Sequence, residues 1–161
     1  PQATSALQAQ SITTILRVPH EAIRSATARL PALAEALWRD CMVDAAVLSQ
    51  WILNVGRRDA RSRIAHLLCE IATRLRAPVA SGSFDFPFPV TQFQLGDAAG
   101  LTSVHVNRIL RGLREQGIVD FRNQKVRVLD WAALVAAGEF NRNYLQTEIR
   151  PEERLRILAS A

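Results

Sequence analysis

The sequence predicts a mainly α-helical chain with a small β component, in which a long helix leads into a winged helix-turn-helix. Three stretches carry that prediction. Residues 90–113 read as two short helices about a tight turn, residues 117–129 as a β-hairpin behind them, and residues 31–54 as one long amphipathic helix ahead of them.

At 161 residues with 48% hydrophobic side chains, the chain allows one domain or two small ones with real cores. No run approaches the roughly 20 apolar residues that span a bilayer. The opening PQATSA lacks the basic-then-apolar order of a signal peptide, and it does not begin with Met, so the sequence is read as processed or as a fragment. Cys41 and Cys69 both fall in helical patterns, and two thiols make no disulfide framework; they read as buried, reduced thiols of a cytoplasmic protein. Charge is unevenly placed. Residues 1–56 are neutral, residues 57–127 carry twelve basic against six acidic side chains, and the remainder is slightly acidic. All the excess positive charge of this net +5 chain therefore lies in the part holding the helix-turn-helix, where a positive field suits phosphate binding.

Taken in order, residues 3–18 are partly alternating and rich in Ser and Thr, as at the end of a β-structure whose partner strands lie elsewhere. Pro19 opens a helical stretch that breaks at Pro31. From Pro31 to Asn54, Leu33, Leu37, Cys41, Ala45, Leu48, Ile52 and Val55 recur every three or four residues, with Trp38 and Trp51 beside the stripe. Such a stripe can be buried within its own domain or against a second copy. Its length, and the small residues at 41 and 45, favour a dimer helix. Gly56 interrupts it. Asp59 can cap the next helix, with Ile64, Leu67, Leu68, Ile71 and Leu75 inside and Arg61, Arg63 and Arg74 outside. Residues 77–89 read as a loop from their Pro and Gly content, pinned to the core by Phe84, Phe86 and Phe88.

The helix-turn-helix follows. Thr91 and Gln94 form a capping box, Leu95, Ala98 and Ala99 give a small apolar face, and Gly100 supplies the positive φ of the turn. Thr102 can cap a second helix whose buried face is Val106, Ile109, Leu110 and Leu113. Its opposite face holds Val104, Asn107, Arg108 and Arg111, flanked by Ser103 and His105. Amide and guanidinium groups on a half-buried helix are what a major-groove reader needs. Alone, the pattern also fits a helical hairpin with a solvated face, the less favoured of the two readings. Residues 117–121, the turn Arg122-Asn123-Gln124 and the basic alternation of residues 125–129 add a wing with Lys125 on its exposed side. Asp130 can cap a short helix, and the tail from Glu139 holds a weak final helix, EERLRILAS.

Enzymatic function is not expected: the acidic residues are scattered, His20, His66 and His105 have no partners in sequence, and no glycine loop cradles a phosphate. No Cys/His cluster has zinc spacing, so no metal is expected, and His66 reads as a packed or surface histidine. The alternative to DNA binding is a winged helix used for protein contact. It predicts an exposed apolar patch in place of the Asn107/Arg108/Arg111 face.

N-V-G-R-R-D-A-R-S-R-I-A-H-L-L from Asn54 to Leu68, followed by V-T-Q-F-Q-L-G-D-A-A-G-L-T-S-V-H-V-N-R-I-L, resembles the Crp/Fnr family of bacterial transcription regulators over nearly the whole chain. The resemblance implies that residues 1–18 are remnant strands of a sensory β-roll, much of it outside this sequence, and that 19–54 supply its following helices. On the same ground, 1–54 form the sensor end and dimerisation helix, 55–59 a hinge, and 60–161 the winged-helix domain with its C-terminal tail. It implies double-stranded DNA as partner, a homodimer through residues 31–55, contact with RNA polymerase, and no membrane. The family's groove contacts fall on Ser103, Val104, Asn107 and Arg108, with Thr91 and Gln92 near phosphates; Thr102, His105, Arg111 and Lys125 complete the expected DNA-binding set. Arg108 matches the Arg that reads guanine. Val104 stands where many members have Glu, so the operator is expected to differ. Ala3-Thr4-Ser5 and Leu48-Ser49 lack the family's cyclic-nucleotide pattern, which speaks against cyclic AMP, and clustered cysteines for an iron–sulfur group have no counterpart.

Overall fold

The computed structural model describes residue 9, residues 12–79 and residues 82–146. Among these, the chain forms six α-helices and a three-stranded antiparallel sheet. The helices are α1 (His20–Arg29), α2 (Pro31–Gly56), α3 (Ala60–Arg74), α4 (Gln92–Ala99), α5 (Ser103–Glu115) and α6 (Trp131–Ala137). The strands are β1 (Phe84–Pro87), β2 (Val119–Arg122) and β3 (Lys125–Val128), in the order β1-β3-β2. No helix among the described residues is long and apolar enough to cross a membrane.

One core joins α3, α4, α5, α6 and the sheet. Ile64, Leu68, Leu95, Val106, Leu113, Val119, Val126, Val128 and Leu134 are each nearly or wholly removed from water. At about 1.5–3 kcal/mol per fully buried aliphatic side chain, this cluster is the main stabilising term of the domain. The helix boundaries follow their caps: the Asp59 side chain accepts from Ser62 N, Thr91 and Gln94 form the expected box, Thr102 accepts from His105 N, and Asp130 from Ala133 N. Gly100 ends α4 at φ 65°. Gly117, read as the start of a strand, instead stops α5 at φ 70°, and Ile118 N reaches back to Leu113 O.

The predicted loop at 77–89 is a correction. Phe84–Pro87 pair with β3, and the F-D-F alternation buries both phenyl rings on one face. Pro87 is tolerated because β1 is an edge strand. Phe88 is buried too, and its N–H donates to Gln124 O in the hairpin turn. That turn is a two-residue loop with Asn123 and Gln124 both at positive φ, the twist an antiparallel pair prefers. In α4 the close approach is made by Gly96 rather than Ala98, which is exposed: a Cβ on Gly96 would stand 2.5 Å from Leu101 O.

The long helix differs from its neighbours. α2 has 26 residues, about 39 Å at 1.5 Å per residue, and Asn54 is its single buried residue. Val47 and Trp51 pack on the winged-helix core, while Leu37, Trp38, Met42, Leu48, Ile52 and Val55 are exposed. Cys41 lies with the exposed set, which corrects its reading as buried; only Cys69 is inside, and burial pushes its thiol pKa far up. α2 runs through Gly56, two residues beyond the expected end, because nothing at Gly56 breaks the helical hydrogen bonding and Arg57 N still reaches Leu53 O. Leu75 is exposed past the end of α3. Among the described residues of the N-terminal stretch, 9 and 12–19, no strand forms, since no neighbouring strand is there to pair with. The rest of that stretch, Ala3-Thr4-Ser5 included, and the EERLRILAS helix lie outside the described residues.

A polar cluster closes the far side of the domain. His66, 1% exposed, donates from Nδ1 to Gly138 O (3.1 Å), and its Nε2 faces Tyr144 Oη at 3.1 Å. Tyr144, on a 3-10 turn at Arg142–Leu145 that the sequence reading missed, donates to Glu70 Oε2 (2.9 Å), whose other oxygen meets Arg74. Gly138 is required here, as a Cβ would come within 2.7 Å of His66 N. Burial, and then the positive charge of Arg58, lower the His66 pKa below its usual 6.5. The unfolded chain therefore binds this proton more readily. Stability from this group is present above about pH 6.5 and is lost as pH falls, by at most ~1.4 kcal/mol per pH unit. Urea midpoints at pH 7.5 and 5.5 are expected to fall in the parent chain and to converge in His66→Gln. Equal falls in both would assign the effect elsewhere.

Candidate nucleic-acid interface

The outer face of α5 is built by its own periodicity. Val106, Ile109, Leu110 and Leu113 turn inward, which leaves Ser103, Val104, His105, Asn107, Arg108 and Arg111 exposed. Val104 is 70% exposed, an apolar side chain at the leading end of an otherwise polar face. Arg108 and Arg111 have no hydrogen bond or ion pair among the described residues, so both guanidinium groups remain available. Asn107 Nδ2 donates to Gln92 Oε1 (3.1 Å), which links α5 to the first turn of α4. Thr91 and Gln92 stand at that N-terminus, where the capping box occupies the Thr91 and Gln94 N–H groups and the helix dipole favours an anion. Thr102 is occupied as the cap of α5 and is exposed beside Ser103.

Lys125 is placed on the wing, but not as a free ammonium. Its Nζ lies 2.7 Å from Asp85 Oδ2, and Arg127 Nε lies 3.1 Å from the other oxygen of the same carboxylate. The register explains this: Asp85 sits directly across from Arg127, with Lys125 two residues along the same face of β3. Hydrogen bonds from Lys125 and then Arg127 hold the Asp85 carboxyl below its ordinary pKa. Arg122 is likewise paired, with Asp120. The wing thus carries cations that are locally countered, whereas α5 carries uncountered ones.

Arg63, expected on the outer face of α3, instead turns back toward two helix ends. The side chain is half-buried and folds back: Nε donates to Asn54 O (3.1 Å), Nη1 to Ala99 O (2.8 Å), and Nη2 to Val55 O (3.1 Å) and Arg58 O (3.2 Å). An arginine four residues after a helix cap, with two helix ends preceding and following it, is no distinctive sequence signal. Arg61 bonds Gln116 at the end of α5, and Arg74 pairs with Glu70.

Residues 62–137 match a family described as the Crp-like helix-turn-helix domain. The chain is 34% identical over 90 residues to the transcriptional activator protein FnrL of Cereibacter sphaeroides, covering 53% of this chain and 36% of that protein. It is 26% identical over 129 residues to the transcriptional activator protein FnrA of Stutzerimonas stutzeri, covering 80% of this chain and 52% of that one. Among solved structures, FixK2 from Bradyrhizobium japonicum superposes with a TM-score of 0.65 at 26% identity, over 74% of this chain and 59% of that one. The chain spans about half or less of the curated relatives' length.

Proposed function

Given that this chain belongs to the Crp/Fnr family of transcription regulators, we propose that it binds a palindromic operator in double-stranded DNA as a homodimer. The observation that carries this reading is the outer face of α5, where Asn107, Arg108 and Arg111 stand exposed and no acid counters the two guanidinium groups among the described residues. In this reading α5 enters the major groove. Arg108 forks onto guanine, Asn107 is held ready by Gln92, and Val104 can meet only a thymine methyl, which shifts the half-site away from one read by Glu. Ser103 joins the groove contacts, Thr91 and Gln92 take phosphates, and Thr102, His105, Arg111 and Lys125 lie at the flanks. Residues 31–55 form the dimer seam, since Leu37, Leu48, Ile52 and Val55 are exposed and have no cover among the described residues. Residues 55–59 then serve as the hinge to the domain from residue 60 onwards. The two α5 helices would lie about 34–36 Å apart, one turn of DNA. A protein-contact module would instead present an apolar patch on α5, and Val104 alone does not make one.

Fluorescence polarisation of a labelled operator across a salt series tests the reading. Log affinity should fall linearly with log salt, by about 0.9 for each phosphate neutralised. Affinity that is weak and insensitive to salt at every sequence would reject it. Asp85→Asn is expected to release Lys125 and Arg127, raising affinity and steepening the slope by roughly one to two phosphates' worth. An unchanged slope would place the wing away from the backbone.

A further inference from the structure

We propose that Arg63 is the positioning residue that sets the angle between α2 and the helix-turn-helix, and with it the half-site spacing that the dimer accepts. This rests on the reading of the chain as a dimeric operator-binding protein. The last carbonyls of a helix lack intrahelical donors and form the negative end of its dipole. At the end of α2, Leu53 O is taken by Arg57 and Arg58 N–H groups, and Asn54 O and Val55 O are both taken by Arg63. At the end of α4, Gly96 O and Asp97 O are taken by Leu101 and Gly100 N–H groups, and Ala99 O is taken by Arg63. Two helix C-termini therefore converge on one guanidinium, which also holds Arg58 O in the connecting segment.

The alternative holders are poorer at fixing an angle. Val47 and Trp51 pack α2 against the domain, but apolar ridges tolerate a spread of crossing angles. Asn54 is fully buried at the same helix end, yet neither atom of its side-chain amide has a partner among the described residues. A planar cation with donors in fixed directions does constrain angle. Because the α5 pair is displaced by any rotation about this junction, a loose junction would let the dimer fit operators of several spacings.

The test uses the full chain as Arg63→Lys and Arg63→Ala. Lysine keeps the charge but has one compact ammonium, which cannot reach both helix ends in the same geometry. Thermal unfolding identifies which variants fold, and Arg63→Lys carries the test if alanine does not. With Cys41→Ser throughout, spin labels on Glu35→Cys, exposed on α2 outside the seam stripe, and on Glu115→Cys report the distance from α2 to α5 within one chain when diluted into unlabelled protein; Cys69 is buried and stays unlabelled. The parent chain should give one narrow distance distribution and the variants a broad one. In parallel, operators whose half-sites are moved by one or two base pairs should lose about 10-fold or more in affinity with the parent chain but less than ~3-fold with Arg63→Lys, as expected when the second half-site is engaged through a loosened junction. Base preference within a half-site should be unchanged. Distributions as narrow as the parent's, or undiminished spacing discrimination, overturn the positioning role. A parent chain that ignores spacing overturns the operator reading instead, and the distance measurement then decides the role of Arg63 alone.

Discussion

Arg108→Ala is expected to abolish discrimination at one base pair in each half-site while leaving the fold intact. Its guanidinium is exposed on α5 and has no partner among the described residues, so no internal interaction is lost with it, and a surface change of this kind moves stability by no more than about 0.5 kcal/mol. A bidentate contact to guanine contributes about 1–3 kcal/mol of discrimination. A homodimer loses it twice, so the affinity for the preferred operator should drop by roughly 30- to 25,000-fold while affinity for unrelated DNA changes little. Polarisation titrations against operators altered at that position check this directly. If the variant still ranks those operators as the parent does, another residue reads the base.

Leu48→Asp with Ile52→Asp should separate the dimer. The two side chains are 65% and 73% exposed within one chain, so the winged-helix domain has nothing to lose from the change. At a seam between two copies, however, four carboxylates would be stripped of water without partners, at a cost of several kcal/mol each. Sedimentation should show a monomer with an unaltered melting curve for the domain. Operator affinity should fall by about 100-fold or more, because the second half-site no longer benefits from the effective concentration that linkage provides. A variant that still sediments as a dimer would move the interface off α2.

What was legible in the sequence follows the physics of each element. α4 and α5 were readable because caps, a left-handed glycine and a 3.6-residue period all act locally: Thr91, Gly100, Thr102 and the Val106–Leu113 set stand where their pattern placed them. The exposed stripe of α2 was readable for the same reason, although Cys41 was misassigned, because burial within a domain and burial against a second copy give one pattern. β1 was hidden since Pro and Gly outweighed a three-residue alternation, and its strand character depends on β3, some 40 residues away. Asp85 was hidden with it, so Lys125 looked free when it is paired. Arg63 and the His66–Tyr144–Glu70 cluster were illegible because each joins residues far apart in the chain. No local rule relates Arg63 to Ala99 or His66 to Tyr144.

Selection of bound sequences from random double-stranded DNA reports binding, half-site and spacing together. A dimeric operator-binding chain should enrich an inverted repeat whose half-sites are centred one helical turn apart. Each should carry a guanine that Arg108→Ala no longer selects, and a thymine opposite Val104 where relatives with Glu would favour cytosine. Recovery of unrelated sequences, or of a single half-site without its inverted mate, would contradict dimeric operator binding.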